Sequence, residues 1–151
     1  MAAKFNIRVY GICINENDEI LLSDEYIKHT YITKFPGGGL EFGESTKDCL
    51  IREWKEETGA KIVVLNHFYT TDFLQFSAFN PNSQVIGIYY KVEIKSGLQI
   101  PTKTKPFDFE KLEDDAQVFR RMAISELNEN SVTFPTDKKV VQLLKKEYGK
   151  K

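Results

Sequence analysis

A run of three glycines directly before a strongly acidic segment constrains this chain more than any other feature. Residues 37–39 are all glycine and follow a proline, so the run is expected to end regular structure and to leave backbone groups accessible. Residues 45–58 predict a helix, because Ser45 can serve as its N-cap and Gly59 stands where a C-terminal stop belongs. The sequence therefore predicts a tight glycine bend that leads into a helix.

Three glutamates of this predicted helix share one face. Glu53 precedes Glu56 and Glu57 by three and four residues, which are the spacings of neighbours on a helix surface. A divalent cation would relieve the repulsion between them, since hard ions such as Mg²⁺ prefer carboxylate and carbonyl oxygens. Glu41 and Glu44 add carboxylates nearby. Taken alone, however, an acidic stretch beside lysines is more often a solvated helix face than a metal site.

The whole stretch from Gly38 to Ala60 resembles the Nudix box, whose pattern is G-x5-E-x7-R-E-U-x-E-E-x-G-U, with U an aliphatic residue. The fixed positions of the pattern fall, at the correct spacing, on Gly38, Glu44, Arg52, Glu53, Glu56, Glu57 and Gly59. Two positions depart from it, because Trp54 replaces an aliphatic residue and Ala60 is a small final residue. Both are packing positions, so the departures concern the local core rather than the chemistry.

The resemblance implies a hydrolase that uses bound Mg²⁺ or Mn²⁺. Its substrate would be a nucleoside triphosphate or a nucleoside diphosphate derivative such as a nucleotide sugar, in which it cuts a diphosphate bond. The metal ligands implied by the family pattern are the carboxylates of Glu53, Glu56 and Glu57. A backbone carbonyl of Gly38, or of its neighbour Gly37, would complete the shell.

The resemblance also implies roles for the other charged residues of the box. Glu44 and Arg52 would form an ion pair that locks the loop to the helix. The general base differs between members of the family, and Glu56 or Glu53 is the expected base here. The acids of residues 113–115 lie where a distal base would arise, with a solvated charge run as the competing interpretation.

Side chains outside the box are candidates for contacting the substrate. The candidates are Arg8, Lys34, Phe76, Arg120 and Asp115. The three cations could reach a phosphate, although such residues are more often surface charges. Phe76 belongs to a set of aromatic residues that could include a base-stacking partner but are mostly expected in the core. That set is Tyr69, Phe73, Phe76, Phe79 and Tyr89.

Markers of the Nudix subgroups do not select one substrate. Gln75 and Phe76 stand where the ADP-ribose subgroup usually has a proline, and the Ser-Gln-Pro-Trp run of the NADH subgroup is absent. Because these markers are absent, the chain looks most like the members that cleave nucleoside triphosphates or nucleotide sugars. The alternative is a catalytically weak module that binds or senses a nucleotide, against which the complete set of box carboxylates argues.

The composition predicts one domain over residues 1–151 and excludes several classes of protein. With 21 basic and 22 acidic side chains, broad neutralisation of nucleic-acid phosphates is not expected. Cys13 and Cys49 lie in apolar patterns and are expected to be buried free thiols. Residues 1–12 do not read as a signal peptide and no apolar run reaches about 18 residues, so a cytoplasmic enzyme without a membrane span is predicted. Many relatives form homodimers, but nothing in the sequence marks an interface.

Strand patterns dominate the rest of the chain, and with the helical stretches they predict an α+β fold. The resemblance specifies it as the Nudix fold, a mixed β-sheet sandwiched between α-helices. A polar turn at residues 15–18 is expected to join the first two strands as a hairpin, and residues 96–116 form a long polar connection. The predicted strands cover residues 5–13, 19–22, 31–35, 62–76, 85–94 and 118–124, and a final helix covers 137–148.

Overall fold

The computed structural model describes residues 2–96 and 100–149 and confirms the predicted α+β class. Residues 97–99, in the predicted polar connection, lie outside the described residues. The strands are β1 (Lys4–Ile12), β2 (Glu19–Ile27), β3 (Thr30–Lys34), β4 (Gly37–Gly39), β5 (Lys61–Thr70), β6 (Ser83–Ser96), β7 (Thr102–Lys103) and β8 (Ala116–Ala123). The helices are α1 (Thr46–Thr58), α2 (Pro135–Tyr148) and a 3-10 turn at Glu129–Ser131. Within the described ranges, no helix has both the length and the apolar character that a membrane crossing requires.

The chain forms two compact units, and each contains its own mixed sheet of four strands. The first unit comprises residues 2–13 and 37–96, with strand order β4-β1-β6-β5. The second unit comprises residues 14–36 and 100–149, with strand order β3-β2-β8-β7. That residues 1–151 work as one domain stays a prediction.

The glycine run is itself a strand, so the expectation that it ends regular structure is wrong. Residues 37–39 form β4, which pairs antiparallel with residues 8–10 of β1, while β1 also pairs parallel with β6. Gly37 has a φ of +155°, and a Cβ at this position would overlap the backbone carbonyl oxygen of Val9. Only glycine allows two backbones to approach so closely, and the run therefore extends the sheet instead of interrupting it.

Helix α1 begins and ends where the sequence predicts. The Ser45 hydroxyl accepts a hydrogen bond from the backbone N–H of Asp48 at 3.1 Å, as an N-cap does. Gly59 ends the helix in the left-handed conformation, with φ of +73°, and its N–H donates to the carbonyl of Lys55 at 3.0 Å. These two caps fix which residues of the acidic segment face the same direction.

The buried face of α1 packs on strands β1, β4 and β5 of the first unit. Cys49, Leu50 and Trp54 are fully buried on this face. Trp54 requires a glycine opposite, because a Cβ on Gly11 would lie only 2.7 Å from the indole Nε1. The tryptophan that departs from the family pattern is thus accommodated by a glycine in β1.

The second unit is built around β2, which pairs antiparallel with β3 and β8. The turn at residues 15–18 is confirmed, since the Asn15 side chain accepts the backbone N–H groups of Asn17 and Glu19. The expected hairpin of β1 with β2 is wrong, however: only an isolated bridge between Ile14 and Ile20 forms, and the strands join different sheets. Strand pairing depends on partners distant in sequence, which a local turn signal does not specify.

Helix α2 confirms the predicted C-terminal helix. Val140, Val141 and Leu144 are fully buried, at the spacing of an inward helix face. Lys145 ties the helix to the residues after β8, because its Nζ donates to the carbonyl of Ile124 at 2.9 Å. Cys13 and Cys49 are buried free thiols, as predicted.

Candidate functional site

Arg52 joins the loop, the glycine strand and helix α1 in the first unit. Its Nε and Nη2 donate to the two oxygens of Glu44 at 3.0 and 2.7 Å, which forms a bidentate ion pair. Nη2 also donates to the Gly39 carbonyl at 3.2 Å, and Glu44 Oε1 accepts the backbone N–H of Glu41 at 2.9 Å. The predicted ion pair between Glu44 and Arg52 is therefore present, and it fixes the loop against the helix.

The other side of the same guanidinium faces the helix acids. Arg52 Nη1 donates to Glu53 Oε1 at 3.0 Å and to Glu56 Oε2 at 3.3 Å, and it lies 3.8 Å from Glu41 Oε1. With Glu44, four carboxylates thus surround one cation. The acids that would repel one another on an isolated helix are held together by this arginine.

Ionisation in the cluster follows from these contacts. The hydrogen bonds from Arg52, followed by that from the Glu41 backbone, lower the pKa of Glu44 from 4.5 to about 2. The same bonds with Glu44 raise the pKa of Arg52, so the pair stays ionised at neutral pH. Burial, with the nearby Glu44 charge, raises the pKa of the Cys49 thiol to about 12. Cys49 is therefore protonated at neutral pH and is no nucleophile.

The remaining box residues differ in their surroundings. Glu53 lies against the glycine strand, because a Cβ on Gly38 would overlap its carboxylate. Its side chain is 17% exposed, whereas that of Glu56 is 59% exposed. Glu57 is half-buried, and its Oε2 is fully buried. The structure thus brings Gly38, Glu53 and Glu56 together around Arg52, and it places Glu57 on the same helical turn.

The donor types of this cluster suit Mg²⁺ or Mn²⁺, which bind carboxylate and carbonyl oxygens. Within residues 2–96 and 100–149, no group of three or more His, Cys, Asp or Glu side chains is arranged as a metal site. Arg52 engages one oxygen each of Glu53 and Glu56. The assignment of Gly37, Gly38 and the three helix glutamates as metal ligands stays a prediction.

Two of the candidate substrate contacts lie in the first unit. Arg8 is on β1 opposite Gly39, and its Nε donates to the hydroxyl of Tyr10 at 2.6 Å. Phe76 lies in the segment between β5 and β6, where it forms an isolated bridge with Gln84 and is 51% exposed. Phe73 and Phe79 are also exposed, whereas the other two aromatic candidates, Tyr69 and Tyr89, are buried.

Three of the candidate contacts lie in the second unit, and two of them are already paired. Lys34 Nζ is 3.3 Å from Glu25 Oε2, and Arg120 is buried in a bidentate pair with Asp24. Asp115 is exposed, has a φ of +67°, and donates its backbone N–H to the Tyr26 carbonyl at 2.7 Å. None of these contacts involves the box. Their roles in substrate binding stay predictions.

Sequence reasoning missed Arg121, although it considered the residue beside it. Arg121 is half-buried, and its Nη1 is buried without a hydrogen-bond partner in the described part of the chain. The pair Arg120–Arg121 is visible in the sequence, but only the strand register shows which of the two is already neutralised.

Comparison with known proteins identifies a family for the chain. The NUDIX domain family matches residues 4–144, which is nearly the whole chain. A protein described as an uncharacterized Nudix hydrolase, YvcI of Bacillus subtilis (strain 168), is 38% identical over 56 residues, or 37% of this chain and 34% of the relative. The match thus spans about a third of the length of that curated relative.

Solved structures with the same fold cover almost the entire chain. A NUDIX hydrolase from Nitrosomonas europaea has 20% identity and a TM-score of 0.69, with 94% of this chain and 89% of that chain covered. A MutT protein from Methanosarcina mazei Go1 also has 20% identity and a TM-score of 0.69, with 100% and 99% covered. At this identity the similarity shows the fold alone, and it confirms the predicted Nudix fold.

Proposed function

The chain belongs to the Nudix family, and on that premise we propose that it is a metal-dependent pyrophosphohydrolase. Its substrate is a nucleoside triphosphate or a nucleoside diphosphate derivative such as a nucleotide sugar, and its cofactor is Mg²⁺ or Mn²⁺. The observation that carries the proposal is the bidentate Arg52–Glu44 pair, which fixes the box loop against the turn of α1 that bears the glutamates. A cytoplasmic location and assembly into homodimers stay predictions.

Glu53, Glu56 and Glu57 would hold the ion, together with a backbone carbonyl of Gly37 or Gly38. When bound, the ion screens the negative charge of the diphosphate and lowers the pKa of a coordinated water. The residues of the chain supply position: the glycine strand lets the Glu53 carboxylate lie against the backbone at Gly38. Glu44 and Arg52 keep this strand and the helix in a fixed relation, and they are positioning residues in this mechanism.

Glu56 is the general base that the surroundings favour. Its carboxylate is 59% exposed, and its one short contact with Arg52 is the longer of the two that Nη1 makes to the helix acids. Glu53 is 17% exposed and lies against Gly38. An accessible carboxylate can accept a proton from the attacking water more readily than one enclosed by backbone.

A substrate screen tests the proposal directly. The protein is incubated with nucleoside triphosphates and nucleotide sugars in Mg²⁺ or Mn²⁺, and released phosphate and pyrophosphate are measured. Glu57→Gln should lower turnover by roughly a hundredfold or more, a loss of about 3 kcal/mol of transition-state stabilisation. Glu126→Gln, an exposed acid in the second unit, is the matched control and should not change turnover.

Metal binding is measured separately from turnover, so that a binding module can be told from an enzyme. Isothermal titration with Mn²⁺ should give one or more sites in the wild type and a weakened site in Glu53→Gln. Turnover that is equally fast in Glu57→Gln would contradict the metal assignment. Metal and nucleotide binding without turnover of any substrate in the panel would instead assign the sensor role.

A further inference from the structure

Two adjacent arginines of β8 lie on opposite faces of the sheet in the second unit. Arg120 pairs with Leu22 of β2, and Arg121 pairs with Leu21. Because side chains alternate along a strand, partners in register share a face and neighbours in sequence do not. The two guanidinium groups therefore meet different sets of side chains.

The face that carries Arg120 is neutralised and complete. Its Nε and Nη2 donate to the Asp24 carboxylate at 2.7 and 3.1 Å. Asp24 also accepts the Thr33 hydroxyl at 2.7 Å and the backbone N–H of Phe107 at 3.0 Å. The Asp24 side chain is fully buried, so the pair has no room for a further ligand.

The face that carries Arg121 holds a cation that forms no ion pair within the described part of the chain. A guanidinium has five N–H donors and no acceptor. Arg121 Nη1 is buried, and no acceptor within residues 2–96 and 100–149 receives a hydrogen bond from it. Buried donors are nearly always paired, and an exception calls for an explanation such as a functional role or a bound ion. The residue as a whole is half-buried.

The one carboxylate on the same face as Arg121 that is buried is already neutralised by another cation. Glu25 Oε2 lies 3.3 Å from Lys34 Nζ, and it accepts the Ser23 hydroxyl at 2.8 Å and the Gln117 amide at 3.4 Å. The register places Ser23, Glu25 and Gln117 on the Arg121 face. Glu19 also lies on this face, and neither Glu19 nor Glu25 forms an ion pair with Arg121 within the described residues. We therefore expect a ligand that binds beside Arg121 to be an anion.

We propose that Arg121 is an anion-binding site on the β2–β8 sheet, with a phosphate or diphosphate group as its ligand. The planar fork of a guanidinium matches the oxygens of phosphate and carboxylate in two parallel hydrogen bonds. The choice of phosphate over carboxylate rests on the proposed function. The conclusion that the ligand is an anion rests only on the unpaired charge of Arg121. The anion would balance a charge that forms no ion pair within the described residues.

The test measures anion binding without turnover. Inorganic pyrophosphate is titrated into the wild type by calorimetry in EDTA, which prevents binding through metal ions, and succinate is titrated as the carboxylate probe. The variants are Arg121→Gln, Arg121→Lys and, as a matched loss of one positive charge in α2, Lys146→Gln. Melting temperatures of all free proteins are recorded.

We expect the Arg121→Gln variant to bind pyrophosphate roughly tenfold to a hundredfold more weakly than the wild type, the effect of losing a charge-assisted hydrogen bond. Arg121→Lys should lie between the two, and Lys146→Gln should match the wild type. The free Arg121→Gln protein should melt no lower than the wild type, because an unmade hydrogen bond stabilises nothing.

Two outcomes would overturn the proposal. These are a wild type that binds no pyrophosphate, and an Arg121→Gln variant that binds it equally well, whatever its melting temperature. Binding of succinate in place of pyrophosphate would overturn the choice of phosphate. If the enzyme shows no turnover but loses pyrophosphate affinity with Arg121→Gln, the anion site stands and the proposed function fails.

Discussion

Replacement of Asp24 by asparagine should destabilise the protein strongly, because it removes a buried charge without changing the shape of the side chain. The Asp24 side chain is 0% exposed, and its partner Arg120 is 7% exposed. Exposed ion pairs contribute about 0–1 kcal/mol, whereas removal of one partner from a buried pair costs about 3–5 kcal/mol. Burial therefore decides the magnitude. Asp24→Asn should lie in the upper range.

The hydrogen bonds of Asp24 support the same magnitude. Its two oxygens accept four donors, from Arg120, Thr33 and the backbone of Phe107. Asparagine offers one acceptor oxygen, so at least one buried donor is left unsatisfied, at a cost of about 1–3 kcal/mol. Together with the uncompensated charge of Arg120, this sets an expected loss of about 4–5 kcal/mol.

Urea unfolding followed by circular dichroism measures the loss. With a slope of about 2 kcal/mol per molar urea, the midpoint of Asp24→Asn should fall by roughly 2 M. Arg120→Met should be comparably destabilising, and the double variant should lose less than the sum of the two, since neither charge is then left alone. A loss below about 1 kcal/mol for Asp24→Asn would refute the reasoning and would return Arg120 to the residues that are available to a substrate.

Three further predictions concern the first unit. The folded-state pKa of Glu44 is about 2, below its usual 4.5, so its pair with Arg52 contributes stability above pH 4.5 that is lost as the pH falls towards 2. Unfolding curves of the wild type and Glu44→Gln should therefore differ at neutral pH and converge near pH 2. Gly11→Ala should cost about 1–3 kcal/mol in urea unfolding, because its Cβ would press on Trp54. Burial raises the pKa of Cys49 to about 12, so iodoacetamide at pH 8 should label it, as mapped by mass spectrometry, only after unfolding. The first argument is contradicted if the two unfolding curves stay apart at pH 2. The second is contradicted if Gly11→Ala leaves the urea midpoint unchanged, and the third if iodoacetamide labels Cys49 in the native protein.

The parts of the structure that were predicted correctly depend on neighbours in the chain. The helix α1 follows from a cap, a helical face and a stop that all lie within residues 45–59. The pairing of Glu44 with Arg52 also spans one loop and two turns of helix, so the family pattern in the sequence was sufficient to predict it.

The parts that were missed depend on contacts between distant segments. Three consecutive glycines indicate a bend when read locally, but β1 supplies a partner strand close enough that only glycine fits. Likewise, the turn at residues 15–18 was correct while the pairing of its flanking strands was not, because β2 takes its partners from residues 30–34 and 116–123. Pairing energies are set by packing between segments, and a local pattern carries little of that information.

The two adjacent arginines of β8 illustrate the same limit at a single residue. The stretch around Arg120 and Arg121 has apolar residues on both sides, so its pattern does not indicate which arginine points to which face. The register with β2 decides this: it places Arg120 on the face of Asp24, and it places Arg121 on the opposite face. A one-residue shift of this register would exchange their roles.

The single positive charge of Arg52 does not balance the negative charges of the box. Arg52 lies within hydrogen-bond or ion-pair distance of four carboxylates, which leaves an excess of three negative charges before Glu57 is counted. Glu44 takes two of the guanidinium donors, while Glu53 and Glu56 share Nη1. The shared contact is the weaker one, since Nη1 binds one oxygen of each acid. A divalent cation bound by these acids would compensate the excess charge.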